Sequence, residues 1–143
     1  MTLPISPAVT PSSLVGGSIG VTVTDSNFDG VGTVASAGAG TLYTGVNDVT
    51  DVLGLLGPGF SLSVPFAGGS NTTSAFAGLP GPTLPGPAAL STISIRHSFT
   101  LTPGDSVGLT SFYVVQVVPE PTTLLLVSLG LAGLTAAGRR RAH

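Results

Sequence analysis

Apolar and polar residues alternate most strictly between Ser91 and Val118. In the first half of this stretch, every second residue is apolar or aromatic, namely Ile93, Ile95, His97, Phe99 and Leu101. In the second half, the corresponding row is Val107, Leu109, Tyr113, Val115 and Val117. Alternation with a period of two is typical of a β-strand that buries one face. A turn signal, Thr102–Asp105, lies between the halves, so the pattern predicts that they pair as a β-hairpin.

Weaker alternation predicts further strands earlier in the chain. The candidates are Ile19–Val23, Thr41–Val46, Phe60–Phe66 and Ser74–Ala77. Val52–Leu56 is predicted to form one short helical turn, and the repeat LPGPTLPGP, Leu79–Pro87, a loop or stiff spacer. Many short strands joined by Gly and Pro turns indicate an all-β fold, an antiparallel β-sandwich that is jelly-roll-like.

The composition narrows the class of protein. Charged residues make up 7% of the 143 residues, compared with about 25% in a typical soluble protein. The chain has 21 Gly, 12 Pro and no Cys, which suits turns and excludes disulfides, thiolate metal sites and Cys nucleophiles. Before Pro119 the only Arg or Lys is Arg96. Nucleic acid is therefore not expected as a partner, because the chain has no basic footprint.

The C-terminal stretch has the pattern of a membrane anchor. Thr122 to Gly138 is a run of 17 residues without a charge, followed at once by Arg139, Arg140 and Arg141. As a helix this run would span roughly 26 Å, about the thickness of a bilayer core. Arg next to such a span stays on the cytoplasmic side, so we expect a single C-terminal transmembrane helix with the body on the opposite side. A buried helix of a soluble domain is the weaker alternative, because so short a chain cannot cover it on all sides.

The residues before this run carry a resemblance to a known family. Pro119, Glu120 and Pro121 follow Val118, and the order of tripeptide, apolar span and Arg cluster closely resembles the PEP-CTERM sorting signal of Gram-negative bacteria. The resemblance implies export, transient anchoring in the inner membrane, and recognition by an exosortase as partner. It also implies that the tripeptide is the sorting motif and that the Arg cluster is the membrane stop.

Three parts of the chain follow from these patterns. Residues 1–17 are predicted to be an irregular N-terminal segment, residues 18–118 an extracytoplasmic β-sandwich body, and residues 119–143 the sorting signal. Met1–Leu14 has no Lys, no Arg and no apolar run, so it does not resemble an export signal. Two explanations stay open: an upstream or removed signal, or insertion of the tail alone with a cytoplasmic body, which would contradict the charge rule.

One motif indicates metal chemistry. DSNFDG, Asp25 to Gly30, places Asp25, Asn27 and Asp29 at the alternate positions that supply oxygen ligands in calcium loops. Ser36 stands where an EF-hand requires Glu, so this is not an EF-hand. Calcium is therefore a candidate cofactor at a shorter β-loop site, and the alternative is an Asx-rich turn without metal.

No other pattern indicates catalysis. Asn47, Asp48 and Asp51 form a second oxygen cluster that is interpreted as a surface turn. His97 lies on the apolar row of its strand and is expected to be a packed, hydrogen-bonded core residue rather than a catalytic one. Nucleophile elbow, paired carboxylates and phosphate loop are missing from the sequence, so an enzyme is not expected.

Two functions from different classes remain. The first is an exported, non-catalytic cell-surface or extracellular-matrix protein, sorted by exosortase, anchored in the inner membrane before reaching the surface, and associated with exopolysaccharide or a biofilm. The alternative is a carbohydrate-binding module, with or without calcium. The aromatic content counts against the alternative, because sugar-binding platforms use Trp and Tyr, and the chain has no Trp and only Tyr43 and Tyr113.

Overall fold

A computed structural model describes residues 1–118 and 126–131 of the chain. The described part contains eleven β-strands, and every strand pairing is antiparallel. The strands are β1 (Thr2–Pro4), β2 (Val9–Thr24), β3 (Thr33–Ser36), β4 (Tyr43–Asn47), β5 (Thr50–Leu55), β6 (Ser61–Ser63), β7 (Ser70–Ala77), β8 (Leu84–Ala89), β9 (Thr92–His97), β10 (Phe99–Leu101) and β11 (Ser106–Val117). The predicted all-β, antiparallel class is confirmed, whereas the jelly-roll order of strands stays a prediction.

The strands form three sheets in which β2 is the longest element. The orders are β1-β9-β4-β5, β10-β3-β6 and β11-β2-β7, and β8 pairs with the first part of β2 beyond β7. β2 therefore has β11 along one side and β7 and β8 in succession along the other. Its 16 residues include no charged side chain, which allows both faces and both edges of the strand to be covered.

The core is built on the inward row of β2. Ile19, Val21 and Val23 are fully buried, as their alternation predicts. The other buried members of the same cluster come from the remaining sheets and the turn before β4: Val34, Leu42, Tyr43, Leu53 and Leu55. Each aliphatic side chain of this size stabilises the fold by about 1.5–3 kcal/mol when it is fully buried. The core thus joins all three sheets.

The N-terminal residues differ from the prediction. The sequence predicts an irregular segment over residues 1–17, but most of these residues lie in β1 and the first half of β2, and Val15 is fully buried. Three Pro residues hide the strand pattern here. Pro11 lies between Val9 and Ser12, where the pairing with β8 shifts register, so the missing N–H of Pro11 interrupts a ladder that is already irregular.

The predicted hairpin between residues 91–101 and 107–117 is wrong in its pairing. β9 pairs with β1 and β4, β10 pairs with β3, and β11 pairs along its whole length with β2. The first stretch is divided at Ser98, whose N–H donates to the carbonyl of Leu42. The predicted faces are nevertheless right, since Ile95, Phe99 and Leu109 pack against the core. Alternation determines which face is buried but not which strand lies alongside.

Two shorter elements also differ. Val52–Leu56 was predicted as a helical turn, but β5 runs through it and pairs with β4, because Leu53 and Leu55 face the core. Leu79–Pro87 was predicted as a loop, but β8 begins at Leu84 and pairs with β2. β8 forms one edge of its sheet, where Pro is tolerated because the N–H that it lacks would have no partner.

The C-terminal prediction falls mostly outside the described residues. Within the predicted transmembrane run, residues 126–131 are helical. In the described part of the chain, no helix is long and apolar enough to cross a membrane. Pro119, Glu120, Pro121 and the Arg cluster at 139–141 lie outside the described residues, so the transmembrane helix stays a prediction.

Candidate functional site

The sorting segment begins where the body ends. β11 pairs with β2 from Ser106 to Val117, and the register has no break over these twelve residues. The candidate motif at Pro119 follows this strand after one intervening residue, Val118. The last strand of the body thus leads directly into the sorting segment, with no linker domain between them.

The candidate calcium loop is organised by a buried carboxylate. Asp25 is 1% exposed. Its Oδ1 accepts a hydrogen bond from the N–H of Phe28 at 2.8 Å. Its Oδ2 accepts from the N–H groups of Gly30 at 2.8 Å and Gly68 at 2.9 Å. This one side chain therefore connects the loop after β2 to the loop before β7.

The same hydrogen bonds determine the charge of Asp25. Burial alone would raise the pKa of this carboxyl group. The backbone N–H groups of Gly68, Gly30 and Phe28 outweigh burial and hold the pKa below its usual value. Asp25 is therefore an ionised, buried carboxylate whose charge is compensated by backbone dipoles.

The other two predicted ligands make local hydrogen bonds. Oδ1 of Asn27 accepts from the N–H of Asp29 at 3.1 Å, and Oδ1 of Asp29 accepts from the N–H of Val31 at 2.8 Å. Nδ2 of Asn27 donates to Oδ2 of Asp29 at 2.9 Å. These are the contacts of an Asx-rich turn. No group of three or more His, Cys, Asp or Glu in the described ranges is placed to hold a metal ion. Calcium at Asp25, Asn27 and Asp29 stays a prediction.

Asp48 has a larger role than the sequence indicates. Its carboxylate accepts the N–H groups of Leu90, Ser91 and Thr92 at 2.8–2.9 Å, and also the hydroxyl of Ser91. These bonds hold the pKa of Asp48 far below its usual range. Asp48 thereby fastens the turn between β4 and β5 to the turn between β8 and β9. The sequence gives no sign of this, because the partners lie more than forty residues away.

His97 is a packed and hydrogen-bonded residue, as expected. Its Nε2 lies 3.0 Å from Oγ of Ser111, and its ring centroid lies 6.0 Å from that of Tyr43. Burial lowers the pKa of His97, so the neutral ring is favoured at pH 7. Within the described residues no carboxylate hydrogen-bonds to the other ring nitrogen. Among these residues, the hydrogen-bonded acid that orients the base in a catalytic triad is not seen beside the Ser–His pair.

A buried network of polar groups, which the sequence does not predict, connects β2, β4, β8 and β11. The hydroxyl of Tyr113 donates to Oδ1 of Asn47 at 2.8 Å, and Nδ2 of Asn47 donates to the carbonyl of Pro87 at 3.1 Å. Oγ of Ser13 donates to the same carbonyl at 2.7 Å. The hydroxyl of Tyr43 donates to the carbonyl of Phe112 at 2.8 Å. These groups satisfy each other, which is what buried polar groups require for stability.

The outer face of the β11-β2-β7 sheet carries an aromatic groove. Phe112 and Phe76 lie on either side of Ser18 in one cross-strand row. The two rings are 45% and 70% exposed. They border a groove of about 530 Å³ that is also lined by Leu79, Pro80, Ser74 and Thr110. None of the residues that line this groove is charged.

Comparison with known proteins identifies the C-terminal segment alone. The family model of the PEP-CTERM protein-sorting motif matches residues 117–141. The chain has no significant match among curated proteins or among solved structures. The C-terminal segment thus matches a protein-sorting signal, and that signal is the PEP-CTERM motif. Such a motif indicates an exported protein that exosortase processes.

Proposed function

We propose that this protein is a non-catalytic component of the cell surface or extracellular matrix that associates with exopolysaccharide. In this proposal the run from Thr122 to Gly138 holds the protein in the inner membrane, with the body extracytoplasmic, until exosortase acts at Pro119–Pro121. The observation that carries the proposal is the PEP-CTERM motif at residues 117–141, which begins at the last residue of the final strand, β11, of an all-β body.

The use of the polar side chains in the body supports a structural role. The buried carboxylate of Asp25 accepts hydrogen bonds from backbone N–H groups, and so does the carboxylate of Asp48. Asn47 and Tyr113 satisfy each other. Side chains committed to such bonds stabilise loops and sheets, and they are not free to transfer protons to a substrate.

Deletion of residues 119–143 tests the sorting proposal. In the producing cell, the full chain is expected in the membrane fraction first and at the surface or in the medium later. The truncated chain is expected to be soluble in the periplasm, because it lacks both span and motif. A matched variant that replaces Pro119, Glu120 and Pro121 with Ala should stay in the membrane fraction. Retention of the truncated chain in the membrane would contradict the proposal.

The groove between Phe76 and Phe112 favours a second candidate, a carbohydrate-binding module. Apolar rings stack on the C–H faces of sugars, and the neighbouring hydroxyls of Ser18 and Ser74 supply hydrogen-bonding groups. Phe76→Ala and Phe112→Ala should weaken binding on a glycan array, whereas Phe66→Ala, at another exposed ring, should not. Loss of binding on addition of a chelator would favour the calcium-dependent form of this candidate. Binding that is unaffected by either groove variant would exclude the groove.

A further inference from the structure

The free edge of β11 differs from the other edges of the three sheets. β11 is the end strand of its sheet and pairs only with β2 in the described part of the chain. Its twelve residues, SVGLTSFYVVQV, include no charged residue and no Pro. An extended strand of this length runs about 40 Å. A long edge strand without charge, Pro or bulge readily forms backbone hydrogen bonds with a strand of another chain.

The other edge strands are short or carry the features that prevent such pairing. β6 and β10 have three residues each, and β1 has three residues that end at Pro4. β5 contains Asp51, which pairs with Arg96. β8 contains Pro85 and Pro87. β7 has neither charge nor Pro, but it has eight residues against twelve in β11, and Nδ2 of its Asn71 donates to the carbonyl of Ser63, the last residue of β6.

The inward row of β11 is incompletely covered. Val107, Leu109 and Val115 are only partly buried, although their partners on β2 are at most 1% exposed: Val23, Val21 and Val15. The opposite edge differs, since the residues of β7 that lie opposite the inward row of β2 are small or polar: Asn71, Thr73, Ala75 and Ala77. The β7 side therefore closes the core with little apolar area, and the β11 side leaves large apolar side chains at the rim.

We propose that the edge of β11 is an assembly surface on which the same edge of a second copy docks in antiparallel orientation. A two-fold axis near Ser111 or Phe112 would place each inward row of one copy beside the inward row of the other. The sheet would then continue from one body into the next as β7-β2-β11-β11-β2-β7. This inference concerns the body alone and does not depend on the sorting proposal.

A second copy suits this edge better than a charged partner does. The edge carries no charge that would select a strand of opposite sign, and two identical uncharged edges meet without repulsion. Antiparallel self-pairing keeps the period of two in phase over the whole strand, so the apolar rims of both copies are covered at once. The absence of Lys on the strand also removes the usual guard against such pairing.

Single cysteines in the full chain test the proposal, because the protein has no native Cys. One Cys at a time replaces an outward residue of β11: Gly108→Cys, Thr110→Cys, Phe112→Cys, Val114→Cys and Gln116→Cys. Under a mild oxidant at micromolar protein, covalent dimer is expected to peak at Phe112, the outward residue nearest the two-fold axis, and to fall toward both ends of the strand. The fall is expected because antiparallel pairing places an end residue beside the opposite end of the partner strand. Ser74→Cys on β7 is the matched control and should form little dimer.

A charge variant completes the test. Thr110→Lys together with Val114→Lys should reduce crosslinking of Phe112→Cys at least tenfold, whereas Ser74→Lys should leave it unchanged. Thermal unfolding of each variant shows that the body is still folded. Equal crosslinking on β7 and β11 would assign association to the tail and overturn the proposal. Equal crosslinking along all of β11 would indicate parallel pairing, and no crosslinking would indicate that another segment covers the edge. Either result overturns the proposal.

Discussion

The phenolic hydroxyl of Tyr113 on β11 donates a 2.8 Å hydrogen bond to Oδ1 of Asn47 on β4. Asn47 is 1% exposed, so this carbonyl cannot find water in place of the tyrosine. The bond links the sheet that leads into the sorting segment to the sheet on the other side of the core. Burial raises the pKa of Tyr113 to about 12, so the hydroxyl remains a donor over the whole physiological range.

Tyr113→Phe is therefore expected to destabilise the body by about 1–3 kcal/mol, because it leaves Oδ1 of Asn47 buried without a donor. Denaturant unfolding measures the change. Thr22→Val is the matched control, since its hydroxyl bonds to Thr72 on an exposed face, and it should cost less than about 0.5 kcal/mol. Equal losses in the two variants would mean that water reaches Asn47.

The strand Phe99–Leu101 provides a second comparison. Phe99 is partly buried and packs against the core, while Ser98 is exposed. Phe99→Ala should cost about 3 kcal/mol, the lower end for this change because the ring is not fully buried. Ser98→Ala should cost less than about 0.5 kcal/mol. Urea unfolding of the two variants measures both losses of stability. A larger loss for Ser98→Ala than for Phe99→Ala would contradict the inward orientation of Phe99.

Comparison of these strands with the alternation in the sequence shows what a single sequence can determine. The inward faces of β2, β9, β10 and β11 are predicted correctly, since a period of two is a local property. The pairing of β11 with β2 is not predictable in this way, because both β2 and β9 offer a compatible apolar row. The choice depends on which arrangement buries more surface in the whole body, and this is a property of the topology.

The candidate site shows the same division. The sorting signal is predictable from sequence because its three parts follow one another along the chain. The match of the family model to residues 117–141 confirms it. The role of Asp48 could not be predicted, since its partners Leu90, Ser91 and Thr92 become neighbours only after folding. The same is true of Asn47 and Tyr113. Polar residues that act through distant contacts leave no periodic pattern.

The lowered pKa of Asp48 predicts how the stability of the body depends on pH. Its backbone hydrogen bonds lower the pKa in the folded state, while the unfolded value is about 3.9. The stabilisation is therefore fully present above about pH 4 and is lost as the pH falls toward the folded-state pKa. Asp48→Asn should lower the melting temperature at pH 7, and the difference from the unmutated protein should shrink below about pH 4.

The control for this pH dependence is Asp51→Asn. Asp51 forms an exposed ion pair with Arg96, and such pairs contribute little to stability. Its melting curve should nearly follow that of the unmutated protein from neutral to acid pH. If Asp48→Asn lowers the melting temperature by the same amount at every pH, the ionised carboxylate of Asp48 is not the source of the effect.

Melting temperatures of variants in the loop of Asp25 distinguish an Asx-rich turn from a calcium site. In calcium-free buffer, Asp25→Ala should lower the melting temperature markedly, because the N–H groups of Phe28, Gly30 and Gly68 lose their acceptor. Asp29→Ala should have a smaller effect, since its partners are exposed. A rise in the melting temperature of the unmutated protein with millimolar calcium, absent in Asp29→Ala, would instead establish a calcium site.

Gly45 tests how closely Tyr113 is seated over β4. A Cβ atom at Gly45 would lie 2.7 Å from Cδ2 and Cε2 of the Tyr113 ring, so Gly45→Ala requires the ring to move away from Asn47. We expect a loss of about 1–3 kcal/mol from this overpacking. Gly20→Ala is the matched control on β2, where the nearest atom would be 3.9 Å away, and it should be neutral or stabilising by up to about 1 kcal/mol. Because Gly45→Ala and Tyr113→Phe disturb the same hydrogen bond, their combined cost should be smaller than the sum of the two single costs. Strict additivity in that double-mutant cycle would show that the ring accommodates the methyl group without losing its bond to Asn47.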